Sequence, residues 1–171
     1  MKRHPALIPL SRDHHDGLVQ AVRLRRAAAD GDASARLAAA REFVEFFRND
    51  ERLHLRDEEE ELFPLLLRHV QSQPAPLREA RAQHVQLEGF ARTLDVAVAA
   101  GSVDRETLDA VGELLDAHVR LEERQLFPLI EELVPDDELR RLGLADRDAT
   151  CAVGARPSRA TSSERSRAGA A

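Results

Sequence analysis

The sequence of 171 residues has no tryptophan, no tyrosine, one cysteine, one methionine and one lysine. Without tryptophan or tyrosine, a base-stacking platform for nucleic acid is not expected. A single thiol, Cys151, excludes an internal disulfide framework and any cysteine-rich zinc or iron–sulfur site. Long apolar runs are missing too: stretches such as 97–100 fall far short of the ~20 residues a membrane-spanning helix needs. Residues 1–10 are basic but hold Pro5 and Pro9 and lack the apolar segment of a signal peptide, so a cytoplasmic protein is expected. Lys2 is the lone lysine, and arginine in its place hints at a GC-rich bacterial genome. The net charge of −6 argues against nucleic-acid and anionic-membrane partners. What is abundant is alanine, leucine, arginine and glutamate, a composition that favours helix. Seven histidines in so short a chain stand out.

One domain is the natural division for this length. Residues 147–171 carry five arginines against Asp148 and Glu164, with much Ser and Ala and no apolar periodicity. They read as a disordered tail, leaving 1–146 as the folded unit. Four long helices are predicted there. The first spans about 11–29 and ends at Asp30-Gly31-Asp32. The second runs from about Ser34 to Val70, with a kink expected from Pro64. The third covers 77–99 and stops at Gly101-Ser102; the fourth is capped by Asp104 and reaches Leu133. A short extra helix is expected over 137–142. Apolar residues recur in steps of three and four, as in Leu77, Ala80, His84, Leu87, Ala91, Leu94 and Val98. Short connections make neighbours antiparallel, so the expected fold is all-α, an up-down-up-down antiparallel four-helix bundle.

Polar residues interrupt these core stripes. His84 lies on the third, His118 and Glu122 on the fourth, and Glu51, His54 and Glu58 on the second beside Val44 and Phe47. His14 and His15 precede Leu18 and Val22, taken as the inner face of the first. A lone core histidine usually has a hydrogen-bond partner and nothing more. Four helices that each point an imidazole inward, together with buried carboxylates and no lysine to neutralise them, call for a compensating cation. His4, His69 and the acidic run 57–61 apart from Glu58 are read as solvated or terminal.

A repeat strengthens this reading. His54-Leu-Arg-Asp-Glu-Glu-Glu-Glu-Leu-Phe-Pro and His118-Val-Arg-Leu-Glu-Glu-Arg-Gln-Leu-Phe-Pro stand 64 residues apart. Such a repeat implies two helical hairpins related by a pseudo-twofold axis. His and Glu four residues apart share a helix face, ~5–6 Å between Cβ atoms. One can then ligate a metal while the other bridges to a second. Nitrogen and carboxylate donors suit iron, zinc or manganese rather than calcium. Pro64 and Pro128 fall six residues beyond Glu58 and Glu122, so their kinks are expected to lie outside the ligand set.

From about Leu7 to Val134 the chain resembles the hemerythrin-like, or HHE cation-binding, family. Asp13-His14-His15, His54/Glu58, His84 and His118/Glu122 match its pattern, as does Glu-Glu-x-x-Leu-Phe-Pro after both pairs. The resemblance implies two non-haem irons, carboxylate-bridged, inside a helix bundle, with one open position for O2, NO or peroxide. His54, His84 and His118 would be terminal ligands and Glu58 and Glu122 bridges. Either His14 or His15 would serve on the first helix, His14 being favoured and His15 left as an extra ligand or supporting donor. Oxygen-carrying members have a histidine where this chain has Glu88, which is either an oxygen ligand or a solvent-facing residue. More carboxylate character disfavours reversible O2 carriage and favours peroxide, NO or iron handling, whether as a binding protein or with peroxidase-, catalase- or NO-related activity. Leu18, Val22, Leu87 and Leu115 would exclude water.

Other readings are open to the same residues. Glu51-x-x-His54 is the spacing of ferritin-like bundles, but its repeat partner is Leu115, which breaks that pattern. An iron-responsive regulator with the basic tail as contact arm is the alternative function. A mononuclear zinc hydrolase needs only three protein ligands and a water. A metal-free interaction module leaves the repeated polar core unexplained.

Overall fold

The computed structural model describes residues 3–142, and the expected tail at 147–171 lies outside the described residues. Those residues are helical, with no strand among them. We label the helices α1 (Ile8–Asp30), α2 (33–67), α3 (Ala75–Ala100), α4 (105–133) and α5 (Asp136–Leu139). Pro9 and Pro76 fall in the first turns of α1 and α3, where a missing N–H costs no hydrogen bond. Asp32 caps α2 by accepting from Ala35 N at 2.8 Å, and Asp104 caps α4 from Thr107 N at 2.7 Å. Gly101, at φ 73°, ends α3 in the left-handed conformation that favours glycine. No described helix is long and apolar enough to cross a membrane.

The four long helices pack as a ring, α1 on α2, α2 on α3, α3 on α4 and α4 on α1. Side-chain contacts give the directions. Asp13 meets His54 while Arg23 meets Glu42. Arg81 meets Glu59 while Asp95 meets Arg48. Arg3 meets Glu123 while Arg25 meets Asp109. Each of these neighbouring pairs runs antiparallel. α1 and α4 approach closely enough that a Cβ on Gly112 would lie 2.9 Å from the Ala21 carbonyl oxygen.

The buried face of α1 consists of Leu10, His14, Gly17, Ala21, Leu24 and Ala28. This corrects the expectation for Leu18 and Val22: Leu18 is half-buried and Val22 is 65% exposed. Gly17 and Ala21 carry too little apolar surface to mark a face by hydrophobicity. Their smallness is what lets α1 sit against Leu115 and Val119 of α4.

α2 and α4 stay continuous through wide π-type turns at Phe47–Glu51, Glu58–Leu62 and Glu122–Leu126. The last two immediately precede Phe63-Pro64 and Phe127-Pro128. A proline removes one i→i−4 bond and its ring presses on the preceding turn, and a locally wider turn accommodates both. The irregularity was expected beyond the acidic pair positions. Instead it starts on Glu58 and Glu122 themselves.

The apolar core has two parts. One gathers Leu10, Phe63, Leu66, Leu77, Leu126 and Phe127 towards the α5 end. The other gathers Leu24, Phe43, Leu87, Leu94, Leu108 and Leu115 towards the opposite end. Burying each large side chain stabilises the fold by about 1.5–3 kcal/mol. Between the two parts lies a layer of buried histidines and glutamates. His4 and His69 stay outside it, pairing with Asp136 and Glu138 of α5.

Candidate metal centre

The layer draws one histidine from each long helix. His14, His54, His84 and His118 are all buried, and Glu58 and Glu122 are fully so. Facing ligand atoms form two groups. One is His14, His54, Glu58 and Glu122; the other is Glu58, His84, His118 and Glu122. Within each group the atoms lie within 4.8 Å of one another. The two carboxylates belong to both groups, and the histidines divide between them.

The imidazoles are held from behind. His14 Nδ1 donates to Glu123 Oε1 at 2.8 Å, and His84 Nδ1 to Glu59 Oε1 at 3.0 Å. His54 Nδ1 donates to Asp13 Oδ2 at 3.2 Å, and His118 Nδ1 to Gln83 Oε1 at 3.2 Å. Each ring is thereby fixed with Nε2 turned inward, the arrangement that supports a metal-ligating histidine. The pattern obeys the pseudo-twofold seen in the repeat. His14 stacks on Phe127 and His84 on Phe63, with centroids 5.1 and 5.6 Å apart. Arg3 and Arg81 lie over the same two phenylalanines and pair with Glu123 and Glu59.

The inward atoms are short of partners. Both Glu58 carboxylate oxygens, Glu122 Oε1, His84 Nε2 and His118 Nε2 are buried without a hydrogen bond. His14 Nε2 and His54 Nε2 stand 3.1 Å apart, and His14 Nε2 is 3.0 Å from Glu122 Oε2. Orphaned buried polar atoms are rare, and here most of them point at one centre. The donor set therefore fits a cation: imidazole nitrogen and carboxylate oxygen, arranged as two groups that share both carboxylates.

In the protein without metal, protons supply the compensating charge. Burial works against a charged His14, but hydrogen bonds to Glu122 and Glu123 outweigh it and raise its pKa to about 9. For His84 burial is likewise outweighed, by Glu122, Glu58 and Glu59, and the value rises to about 11. His54 is pushed well up against burial by the Glu58 charge and the hydrogen bond to Asp13. His118 follows burial instead and falls to about 4. Burial and the neighbouring Glu122 both oppose ionisation of Glu58, yet His54 and His84 hold its pKa down. Glu122 is held well down by the histidines around it, again against burial. Such opposed shifts in one buried cluster mark a candidate functional site.

Of the residues singled out in the sequence, His14, His54, Glu58, His84, His118 and Glu122 come together. His15 and Glu88 do not. His15 is exposed, because the residue after His14 is turned by about 100° on a helix and His14 already takes the inner face. The side chain of Glu88 is 53% exposed and lies near Arg92 at 3.4 Å. Its neighbour Leu87 occupies the inner stripe instead. Glu59, read as solvated, is half-buried and holds His84 and Arg81. Glu123 and Gln83 were also missed. The doublets Glu58-Glu59 and Glu122-Glu123 recur in register and were the available signal for the first two.

No curated protein and no solved structure matches the chain. The hemerythrin HHE cation binding domain matches residues 6–130, which take in every helix that lines the centre. With that match spanning most of its length, the chain belongs to the hemerythrin HHE cation-binding family.

Proposed function

We propose that this protein holds two non-haem iron ions bridged by Glu58 and Glu122, inside an up-down-up-down four-helix bundle, and that it handles a small oxidant or diatomic ligand. O2, peroxide and NO are the candidates. The observation that carries this reading is the pair of ligand groups sharing both carboxylates. A mononuclear zinc hydrolase would need three protein ligands and a water; six buried donors facing two positions exceed that. Two histidines and two shared carboxylates per position also leave coordination room for an external ligand. Glu88, the residue that could have filled it on α3, points to solvent.

When bound, a pair of irons would supply electrons and a Lewis-acidic site for the small ligand. The chain's own residues do the rest. Glu58 and Glu122, each belonging to both ligand groups, would hold both ions. Asp13, Glu59, Gln83 and Glu123 fix the histidine rings through Nδ1, so that no ring rotates away from the centre. Leu87 and Leu115, both fully buried, keep water from the side facing Phe43. Phe63 and Phe127 close the other side.

The test is metal analysis with absorption spectroscopy on protein reduced anaerobically and then exposed to air. Two irons per chain, with near-ultraviolet and visible bands growing on oxidation, are expected. One zinc per chain, or no metal with the fold unchanged, would sink the proposal.

A further inference from the structure

The pseudo-twofold of the centre is broken at three places, and all three fall on the half that contains His14 and His54. First, Glu51 lies one turn before His54 on the inner stripe of α2, 4% exposed, while its repeat partner Leu115 is a fully buried apolar residue. Glu51 belongs to neither group of four ligands. No other carboxylate on the inner stripes lacks a counterpart across the axis. Second, the residue before the α1 histidine is Asp13, and it holds His54 with a carboxylate; the residue before the α3 histidine is Gln83, and it holds His118 with an amide. Third, α2 widens at Phe47–Glu51 with no proline following, whereas α4 is regular through the equivalent stretch. Wide turns of this kind inside a helix are frequent at functional sites.

The other half differs in the opposite sense. A cavity of about 510 Å³ opens between α2 and α3, lined in part by Arg52, Leu55, Glu59, His84 and Glu88. His84 is thus a wall of both the centre and the cavity.

We infer that the two cation positions are unequal. The position at His14 and His54 fills first and retains its ion. The position at His84 and His118 is the exchangeable one, reached through the cavity between α2 and α3. This rests on the two-ion reading above. The physical basis is charge. A dication at His54 would lie one helical turn from a third buried carboxyl group, Glu51, in a region where apolar packing weakens screening. An imidazole backed by a carboxylate is also a more basic ligand than one backed by an amide, and such supporting groups commonly change metal affinity about 10–100-fold.

The experiment is an anaerobic ferrous-ion titration of the full chain, followed by removal of the ions against a graded chelator. The wild-type protein is expected to take up two ions in two steps at least about tenfold apart in affinity. E51L, which installs the residue of the repeat partner, and E51Q, which keeps the shape, should each weaken the tight step and narrow the gap. D13Q should act in the same direction. H118A should remove the weak step and keep the tight one, and H54A should do the reverse. Circular dichroism confirms that each variant is folded, and E51Q carries the test if E51L is not. Two ions bound with equal affinity, or a tight step unchanged in both Glu51 variants, overturns this inference and leaves the two-ion reading standing. Uptake of no ion by the wild-type protein overturns both.

Discussion

Above about pH 6.5 the protons on the centre make its stability and its metal affinity respond to pH in opposite directions. His14 has its pKa raised from 6.5 to about 9, and His84 from 6.5 to about 11. A folded-state pKa above the unfolded value stabilises the metal-free protein fully below pH 6.5, and that contribution is lost as pH rises through the folded pKa. For His14 the span of about 2.5 pH units is worth about 3 kcal/mol. The ring is only 4% exposed, so solvent screens little of it. His118 acts on the acid side. Its lowered value, about 4, means that the unfolded chain takes up a proton first, so stability falls as pH drops from 6.5 towards 4. Metal-free protein should therefore be most stable near pH 6.5. A cation must displace the proton on His84 and the one shared between the facing Nε2 atoms of His14 and His54, so its affinity should rise with pH, by up to about tenfold per unit for each proton released. Thermal melts of metal-free protein from pH 5 to 10, paired with metal competition at the same values, test both slopes. Affinity that does not change between pH 6 and 9 would refute the protonated cluster. So would metal-free stability that rises across that range.

Three further outcomes are expected. Glu122→Gln and Glu58→Gln each remove a carboxylate shared by both ligand groups and should lower bound metal at both positions, whereas His15→Ala and Glu88→Ala should leave the metal count of purified protein unchanged. Gly112→Ala should destabilise the fold by about 1–3 kcal/mol in denaturant titrations, because its Cβ would meet the Ala21 carbonyl at 2.9 Å and Arg25 Cγ at 2.5 Å, and only the arginine can move aside. Metal at a hundredfold over its dissociation constant should stabilise the protein by about 2.7 kcal/mol, read as a rise in melting temperature; an unchanged melting temperature would show that the native state does not bind it.

The helices were readable because each signal was strong and local. The turn at Asp30-Gly31-Asp32, the cap at Asp104, the break at Gly101 and the apolar steps on α3 and α4 all have direct physical meaning. The centre was readable for a different reason. A buried histidine or glutamate has to be compensated, so its place on an apolar stripe is conspicuous, and the repeat doubled the signal. Where polarity did not contrast with its surroundings, the reading failed. The inner face of α1 is made of Gly17 and Ala21, which hydrophobicity does not distinguish from a surface. Glu59 sits in a run of four glutamates, and only the tertiary approach of His84 separates it from Glu60 and Glu61. Gln83 looks like any helix-surface amide until His118 arrives from the next helix.

The glutamate doublets show how one short motif serves two helices at once. Successive residues on a helix are turned by about 100°. When Glu58 faces the centre, Glu59 must face the adjacent helix, and there it meets His84. Glu122 and Glu123 repeat the division, with Glu123 meeting His14 of α1. One residue of each doublet thus belongs to both ligand groups, while the next sets the ring of a histidine on a neighbouring helix. The proline six residues on belongs to the same device. The wide turn that precedes it begins at the doublet, so the backbone that presents both carboxylates departs from regular α-helix there. Each Phe-Pro pair then returns a phenylalanine to stack on the histidine its doublet holds, Phe63 on His84 and Phe127 on His14. Glu-Glu-x-x-x-Phe-Pro is therefore a unit that builds half of the centre across two helices, and the chain carries it twice because the centre has two halves.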